Sequence, residues 1–282
     1  MAELIKKIRT ASGDLQIDYN SLANLPTISN PNLLINSDFR SPVNQRGRTK
    51  YTSDANNYTR IFTVDRWNIQ NGTTLTVNSN SITLAGNSAS SGLALFSQIL
   101  EYPRVDNYVL QINVLNITNG VVVDVYNASS KVIASATLTS GLNTIKIANN
   151  SVFFIQMGIA ANATIELGYI KLEQGTVATQ FASRPFAEEL IMCQRYYRCF
   201  ERTPIYAPSD ANVIYFMPLQ FSPALRTNPV VTLQEVLNGA AVGQNVRLVN
   251  CNSGVNNVTN IELSATVGMH GYATVHFDAE IY

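Results

Sequence analysis

The chain has 282 residues, with 19 Lys+Arg against 19 Asp+Glu, and only 13% of its residues are charged. That balance leaves no basic field to draw in phosphate backbones, so nucleic acid is excluded as an expected partner. No window reaches the roughly 18 to 20 apolar residues of a membrane-spanning helix, so membrane insertion is not expected either. Three cysteines, Cys193, Cys199 and Cys251, are an odd number in a long chain and argue against a disulfide framework.

Residues 1–31 read as an attachment segment. LIKKIRT is a short run mixing apolar and basic residues, SGD is a turn, and LQIDYNSLANLPTISNP is extended and ends at proline. The segment is too short to bury a core, yet Leu4, Ile5, Ile8, Leu15, Ile17, Leu22 and Leu25 are too many apolar groups for a solvated tail. Docking on another protein, or on copies of itself in an oligomer, is the expectation. MAELIKKIRTASG has no apolar h-region, so no classical secretion signal is expected.

A β-domain is predicted over residues 32–184. NLLIN is a short apolar strand, and NSDFRSPVNQRGRTKYTSDANNYTR is a loop with Gly47 and Asn/Asp pairs as turn makers. FTVDRWNIQ, TTLTVN, SITLAG, LALFSQIL, YVLQINVLN, GVVVDVYN, KVIASATLT, NTIKIAN, SVFFIQMGIA and ATIELGYIKLEQG follow, each of strand length and rich in β-branched residues. Many short strands without helices point to a two-sheet sandwich, specifically a jelly roll. In YVLQINVLN, Leu110, Ile112 and Val114 alternate with Gln111 and Asn113 as in a half-buried strand, while the nearly all-apolar GVVVDVYN is expected to be central. Trp67, the one tryptophan, is assigned to the core, with Arg66 turned to the opposite face of an alternating strand.

SRPFAEELIMCQRYYRCF predicts a helical connector over residues 185–200, about three turns long, with Glu188 and Glu189 near its start and Arg195 and Arg198 near its end. Leu190, Cys193 and Tyr197 share one face, with Ile191 beside them. A helix this short cannot stand free and must pack its face on a neighbouring domain or on copies of the chain; these four residues are the expected contacts between copies near a threefold axis. Cys193 and Cys199 read as small buried apolar groups. Residues 201–282 form a second β-domain of about five strands. In its last strand Ala273, Val275, Phe277, Ala279 and Ile281 form the core face and Tyr272, Thr274, His276, Asp278, Glu280 and Tyr282 the wet face. The fold class is therefore all-β: two jelly-roll-like β-sandwich domains joined by a short α-helix, preceded by an extended attachment segment.

No GxSxG, Walker loop, HExxH or CxxC is present, so no catalytic residue and no cofactor are assigned. A glycan depolymerase would need two carboxylates held roughly 5 to 10 Å apart. Asp65, Asp124 and Glu166 lie on separate predicted strands, and Asp278 and Glu280 are neighbours on a wet face. No metal is assigned: His270 and His276, six apart on a strand, are about 20 Å from each other, leaving a ring of three His276 on a threefold axis as the remaining metal arrangement. The neutral surface, rich in Asn, Ser and Thr, suits sugars or tight contacts between copies of the chain. Tyr51, Tyr58, Tyr102 and Tyr206 fall in polar loops where a ring can stack on a pyranose, and with Asp210, Asn212, His270 and Tyr272 they make up the candidate ligand contacts.

Three motifs in order carry a resemblance. NLLINSDFRSPVNQRG with VDRW, then YIKLEQGTVATQFASRPFAEELIMCQRYY, then FSPALRTNPVVT, spanning residues 32 to 232, resemble bacteriophage and prophage virion fibre proteins. Those are tail-fibre or receptor-binding proteins with a carbohydrate-binding-module-like jelly roll. Here Gln180 precedes Phe181 where that pattern often has Pro, and Phe186-Ala187 replaces Tyr-Gly. The resemblance implies a non-enzymatic particle component, commonly a homotrimer, attached to another virion protein through residues 1–31 and meeting host-surface carbohydrate with its distal domain. It implies a place on the tail or capsid surface, after assembly in the bacterial cytoplasm. A capsid-attached head fibre or decoration protein with no essential ligand is the rival expectation. A glycan depolymerase, or a module detached from a secreted enzyme, is a lesser one.

Overall fold

In a computed structural model, backbone is described for residues 7–10, 13–16, 29–118, 120–206, 214–237, 246–253, 258–265 and 270–280, and side chains for 29–118, 120–201, 221–232 and 274–280. No described helix is long and apolar enough to cross a membrane.

The N-terminal segment contains a strand pair, β1 (Lys7–Thr10) and β2 (Gly13–Gln16), antiparallel from Lys7↔Gln16 to Thr10↔Gly13. LIKKIRT thus contributes a strand. The side chains expected to dock, Leu4 to Leu25, lie outside the described residues.

The first sandwich is built from β3 (Lys50–Thr52), β4 (Ile61–Phe62), β5 (Asn68–Gln70), β6 (Thr73–Val77), β7 (Ile82–Gly86), β8 (Ala94–Ile99), β9 (Val105–Ile117), β10 (Val121–Tyr126), β11 (Val132–Thr137), β12 (Gly141–Ser151), β13 (Phe154–Ile159) and β14 (Thr164–Gln174). They form two six-stranded antiparallel sheets, ordered β11-β10-β13-β8-β5-β4 and β12-β9-β14-β7-β6-β3. The alternation read in the sequence sets the faces: Leu110, Ile112 and Val114 of β9 meet Val121, Val123 and Val125 of β10 in one core. β10 lies next to the edge strand β11, not centrally, and keeps a strict in/out alternation with Asp124 outward. Trp67 is in the core, stacked on Phe96 at 4.6 Å and edge-on to Phe39 at 5.4 Å, and its Nε1 donates to the Asn36 carbonyl at 2.8 Å. Burying each such ring contributes on the order of 1.5–3 kcal/mol.

FTVDRWNIQ is not one strand. The chain reverses at Val64–Trp67, closed by Thr63 N–H to the Trp67 carbonyl at 2.8 Å, with Arg66 at φ 73°. Arg66 therefore does not face water from a strand: the left-handed turn folds its side chain inward, where it is buried. Between β5 and β6, Asn71 (φ 51°) and Gly72 (φ 77°) carry the chain from one sheet to the other. A Cβ at Gly72 would come within 2.1 Å of Ser90 Oγ, so both the conformation and the space demand glycine.

The helix, α1 (Phe186–Cys193), is shorter than the sequence suggested. Pro185 precedes it, and Glu188 and Glu189 occupy its first turn. It stops because Tyr197 to Phe200, rich in aromatic and β-favouring residues, find a strand partner. They open β15 (Tyr197–Tyr206), with Tyr197 opposite Asp278. With β16 (Ile214–Gln220), β17 (Val230–Leu237), β18 (Val246–Ser253), β19 (Val258–Ala265) and β20 (His270–Asp278), β15 builds two three-stranded sheets, β15-β20-β17 and β16-β19-β18. Val275 and Phe277 of β20 are fully buried, and Phe277 packs edge-on to Phe200 and Phe221. The other face of β20 is only partly wet: Thr274 and Asp278 are half-buried, while His276 and, just past the strand, Glu280 are buried, because that face turns toward the first sandwich.

The motifs that carried the resemblance meet here as a joint. Asn36 holds the Val43 and Asp65 carbonyls with Nδ2, both at 2.8 Å, and its Oδ1 accepts from Val43 N–H at 2.7 Å. Glu189 of α1 accepts from Asn36 N–H at 2.5 Å and pairs with Arg184 at 3.1 Å, and Arg184 also donates to the Leu34 carbonyl at 3.0 Å. Gln45 bridges the Asp65 carboxylate (2.6 Å) and the Tyr197 carbonyl (2.8 Å). Arg66 binds Glu280 at 2.6 Å and the Ile99 carbonyl at 2.6 Å, with its guanidinium 3.7 Å over the Tyr196 ring.

Candidate functional site

Between one end of the first sandwich and α1 lies a cleft of about 320 Å³, at the small end of ligand pockets. The turn after β8 supplies Glu101 and Tyr102, and the chain after α1 supplies Arg195 and Tyr196. Tyr102 is 70% exposed and stands at the rim. Glu101 is fixed by both its oxygens: Oε2 accepts from the Tyr196 hydroxyl at 2.5 Å and Oε1 from Arg195 Nη2 at 3.2 Å. Burial alone would lower the Arg195 pKa, but the Glu101 charge and the Tyr102 hydroxyl outweigh it and hold the guanidinium above its usual range. Tyr196 is pushed well above the ordinary phenol value, chiefly by burial, so it stays protonated as the donor. Tyr108 donates to the Arg104 carbonyl at 2.6 Å and pins the turn that presents Tyr102. Leu33, Ile35, Leu100 and Met192 give the cleft an apolar floor.

A pre-oriented phenol, a fixed ion pair and an apolar floor can hold a ring with hydroxyls at its edge. Glu101 is the one carboxylate among the described lining residues, and both its oxygens are engaged. Arg195 and Tyr196, read in the sequence as helix residues, were not among the candidate contacts. No local signal marks them, since Glu101 lies 94 and 95 positions earlier.

The other candidate contacts are dispersed. Tyr51 is not in a polar loop: it is central in β3, buried in the sandwich core, and its hydroxyl donates to Asn44 Oδ1 at 2.5 Å. Burial pushes its pKa up to about 12. A ring enclosed in this way offers no face for stacking. Tyr58 is 57% exposed on a loop, its hydroxyl 3.3 Å from Asn71 Nδ2, and it does not line the cleft of Tyr102. On the backbone, Tyr206 stands opposite His270, and Tyr272 opposite Pro204. The side chains of Tyr206, His270 and Tyr272, and all of Asp210 and Asn212, lie outside the described residues.

Of the four expected contacts between copies, Cys193 and Tyr197 are buried within a single chain. Cys193 ends α1 against the joint, and Tyr197 belongs to β15, where its ring lies under the Arg46 guanidinium at 3.7 Å. Neither can meet another copy. Leu190 is half-buried and Ile191 is 52% exposed. Cys199 is a half-buried free thiol on β15. His276, hydrogen-bonded to the Tyr197 hydroxyl and buried beneath the first sandwich, cannot form a ring on a threefold axis. No group of three His, Cys, Asp or Glu among the described residues could hold a metal.

Neither a family model nor a curated protein matches the chain. Solved structures similar to it include the carbohydrate-binding module BiXyn10A CBM1 (13% identity, TM-score 0.32, 51% of this chain and 99% of that one). Others are a family 29 carbohydrate-binding module from Piromyces equi (14% identity, TM-score 0.27, 44% and 90%) and the family 11 module of the cellulosomal cellulase Lic26A-Cel5E of Clostridium thermocellum (12% identity, TM-score 0.26, 55% and 100%).

Proposed function

We propose that this chain is a non-enzymatic virion fibre protein that attaches a phage particle to host-surface glycans, holding a sugar ring in the cleft beside Tyr102. One observation carries the glycan reading: an exposed tyrosine ring stands over an apolar floor next to the fixed Glu101–Arg195 pair. The ring stacks on a pyranose face while the ion pair and the Tyr102 hydroxyl exchange hydrogen bonds with its hydroxyls. The particle context is supported by the ordered motifs at residues 32 to 232 and their resemblance to virion fibre proteins. In this reading residues 1–31 attach to another virion protein, the chain is assembled in the bacterial cytoplasm into homotrimers, and it resides on the tail or capsid surface. Each contact is weak, and several copies on one particle make attachment stable by multivalency.

The test is a glycan array probed with the full chain, followed by titration of the best ligand. Tyr102→Ala is expected to weaken binding about tenfold, which corresponds to ~1.4 kcal/mol, without moving the melting temperature, because the ring is exposed. If the array retains nothing and the purified protein fails to block particle adsorption, the reading is wrong.

A further inference from the structure

The charges along the cleft of Tyr102 do not cancel. Arg66, Arg104 and Arg195 line it against one carboxylate among the described lining residues, Glu101. The three guanidinium groups are placed differently. Arg66 is only 2% exposed, and its charge is met by Glu280 at 2.6 Å. Arg195 is met by Glu101 at 3.2 Å. Arg104 is exposed, and no carboxylate among the described residues lies within ion-pairing distance of it. The acid nearest to it in sequence, Asp106, is outside the lining, and its Oδ1 accepts from the Asn107 N–H at 2.7 Å. With the other pairs matched, one positive charge is left on the cleft wall.

That charge is held beside the ring. Tyr102 and Arg104 are separated by Pro103, which fixes its own φ and keeps the preceding tyrosine extended. The Arg104 carbonyl accepts from the Tyr108 hydroxyl at 2.6 Å, so the backbone that carries both side chains is pinned. Water screens an exposed guanidinium, and Arg104 alone would hold an anion weakly. Its effect is selective: it distinguishes between ligands that the ring already holds. One unmatched cation suits a single negative charge, and the planar guanidinium suits a carboxylate. The Glu101 charge, which would repel such a ligand, is committed to Arg195 and to the Tyr196 hydroxyl.

Resting on the glycan reading of this cleft, we propose that its ligand is an acidic sugar, a pyranose bearing a carboxylate such as a uronic or sialic acid. The ring stacks on Tyr102 and the carboxylate meets Arg104. Arg195, whose side chain is 39% exposed, donates to the ring hydroxyls.

An array printed with matched pairs tests this, each acidic glycan beside its carboxyl-reduced, neutral form, together with a plain carboxylate-ended spacer. Probed with the full chain, the acidic member of the best pair is expected to bind about fivefold more tightly than its neutral form, the size of one well-placed but partly screened ion pair. Raising the salt concentration should narrow that gap. Arg104→Gln should close it, with an unchanged melting temperature because the side chain is exposed, while Tyr102→Ala should weaken both members. Equal binding of the two members overturns the acidic-sugar assignment and leaves the glycan reading standing. A gap that survives Arg104→Gln also overturns it, since the carboxylate is then read elsewhere. Binding of the spacer as tight as that of the acidic glycan shows that charge acts without a sugar and overturns it too. If no glycan of either kind is retained, the glycan reading itself fails and this assignment falls with it.

Discussion

Asp65 is a carboxylate with no exposed side-chain surface, paired with Arg46 at 3.3 Å and bound by Gln45. Burial raises its pKa, to about 7. Arg46 and Gln45 pull it back down, and the nearby Glu280 charge pushes it further up. Since the ordinary value is 3.8, the folded chain keeps a proton on Asp65 over a range in which the unfolded chain has released it. Stability from this group is therefore full below about pH 4 and is lost as pH rises toward 7, by at most about 1.4 kcal/mol per pH unit. Asp65→Asn cannot titrate. The melting temperature of the wild type relative to this variant is expected to fall between pH 4 and 7 and to level off above. Parallel profiles would show that Asp65 is ionised throughout and that its pair with Arg46 compensates for burial. His276 moves the wild type the other way: its lowered pKa means stability present above about pH 6.5 and lost on acidification. Both proteins share that slope, and the comparison cancels it.

At the scale of elements, α1 separates what its sequence encodes from what its surroundings decide. Pro185, Glu188 and Glu189 fix its start, and all three were legible. Its end was not, because the helical spacing of Leu190, Cys193 and Tyr197 persists across a boundary that strand pairing with β20 imposes. The apolar surface left for another copy is thereby reduced to Phe186, 55% exposed, and Ile191, with Leu190 half-buried beside them. If copies associate through α1 in the proposed homotrimer, Ile191→Glu should convert it to monomer by light scattering, since a charge at a packed apolar contact costs several kcal/mol. An unchanged trimer mass would move the contact away from the helix. β20 teaches the same lesson from the other side. Its period-two pattern located Val275, Phe277 and Ala279 in the core. Polar residues on the alternate face read as wet, yet His276 and Glu280 are buried, since alternation reports the two faces of a strand and not what covers the second.

For the whole molecule, the two sandwiches were legible because their strands alternate locally, and the joint between them was not, because its partners are far apart in the chain. Arg66 and Glu280 are separated by 214 positions, and each alone reads as a surface charge. Neither side chain is exposed by more than 2%, and their contact at 2.6 Å is reinforced by Arg66 N–H to Glu280 at 3.0 Å. Such a pair need not add net stability over an apolar substitute, but removing one partner strands the other charge at a cost of about 3–5 kcal/mol. The cost falls on docking and not on either core: Glu280 lies beyond β20, and the second sandwich packs its own Phe200, Phe221 and Phe277. Glu280→Gln keeps the shape and deletes the charge, leaving the Arg66 guanidinium only the Ile99 carbonyl and the Tyr196 ring. The wild type should unfold in one calorimetric transition, with docking energy coupling the sandwiches. Glu280→Gln should split it, the smaller second sandwich melting first and the transition of the first moving little. A single transition at the wild-type temperature would mean that the buried pair does not couple the two units, and that Gln45, Asn36 and Glu189 hold the joint without it.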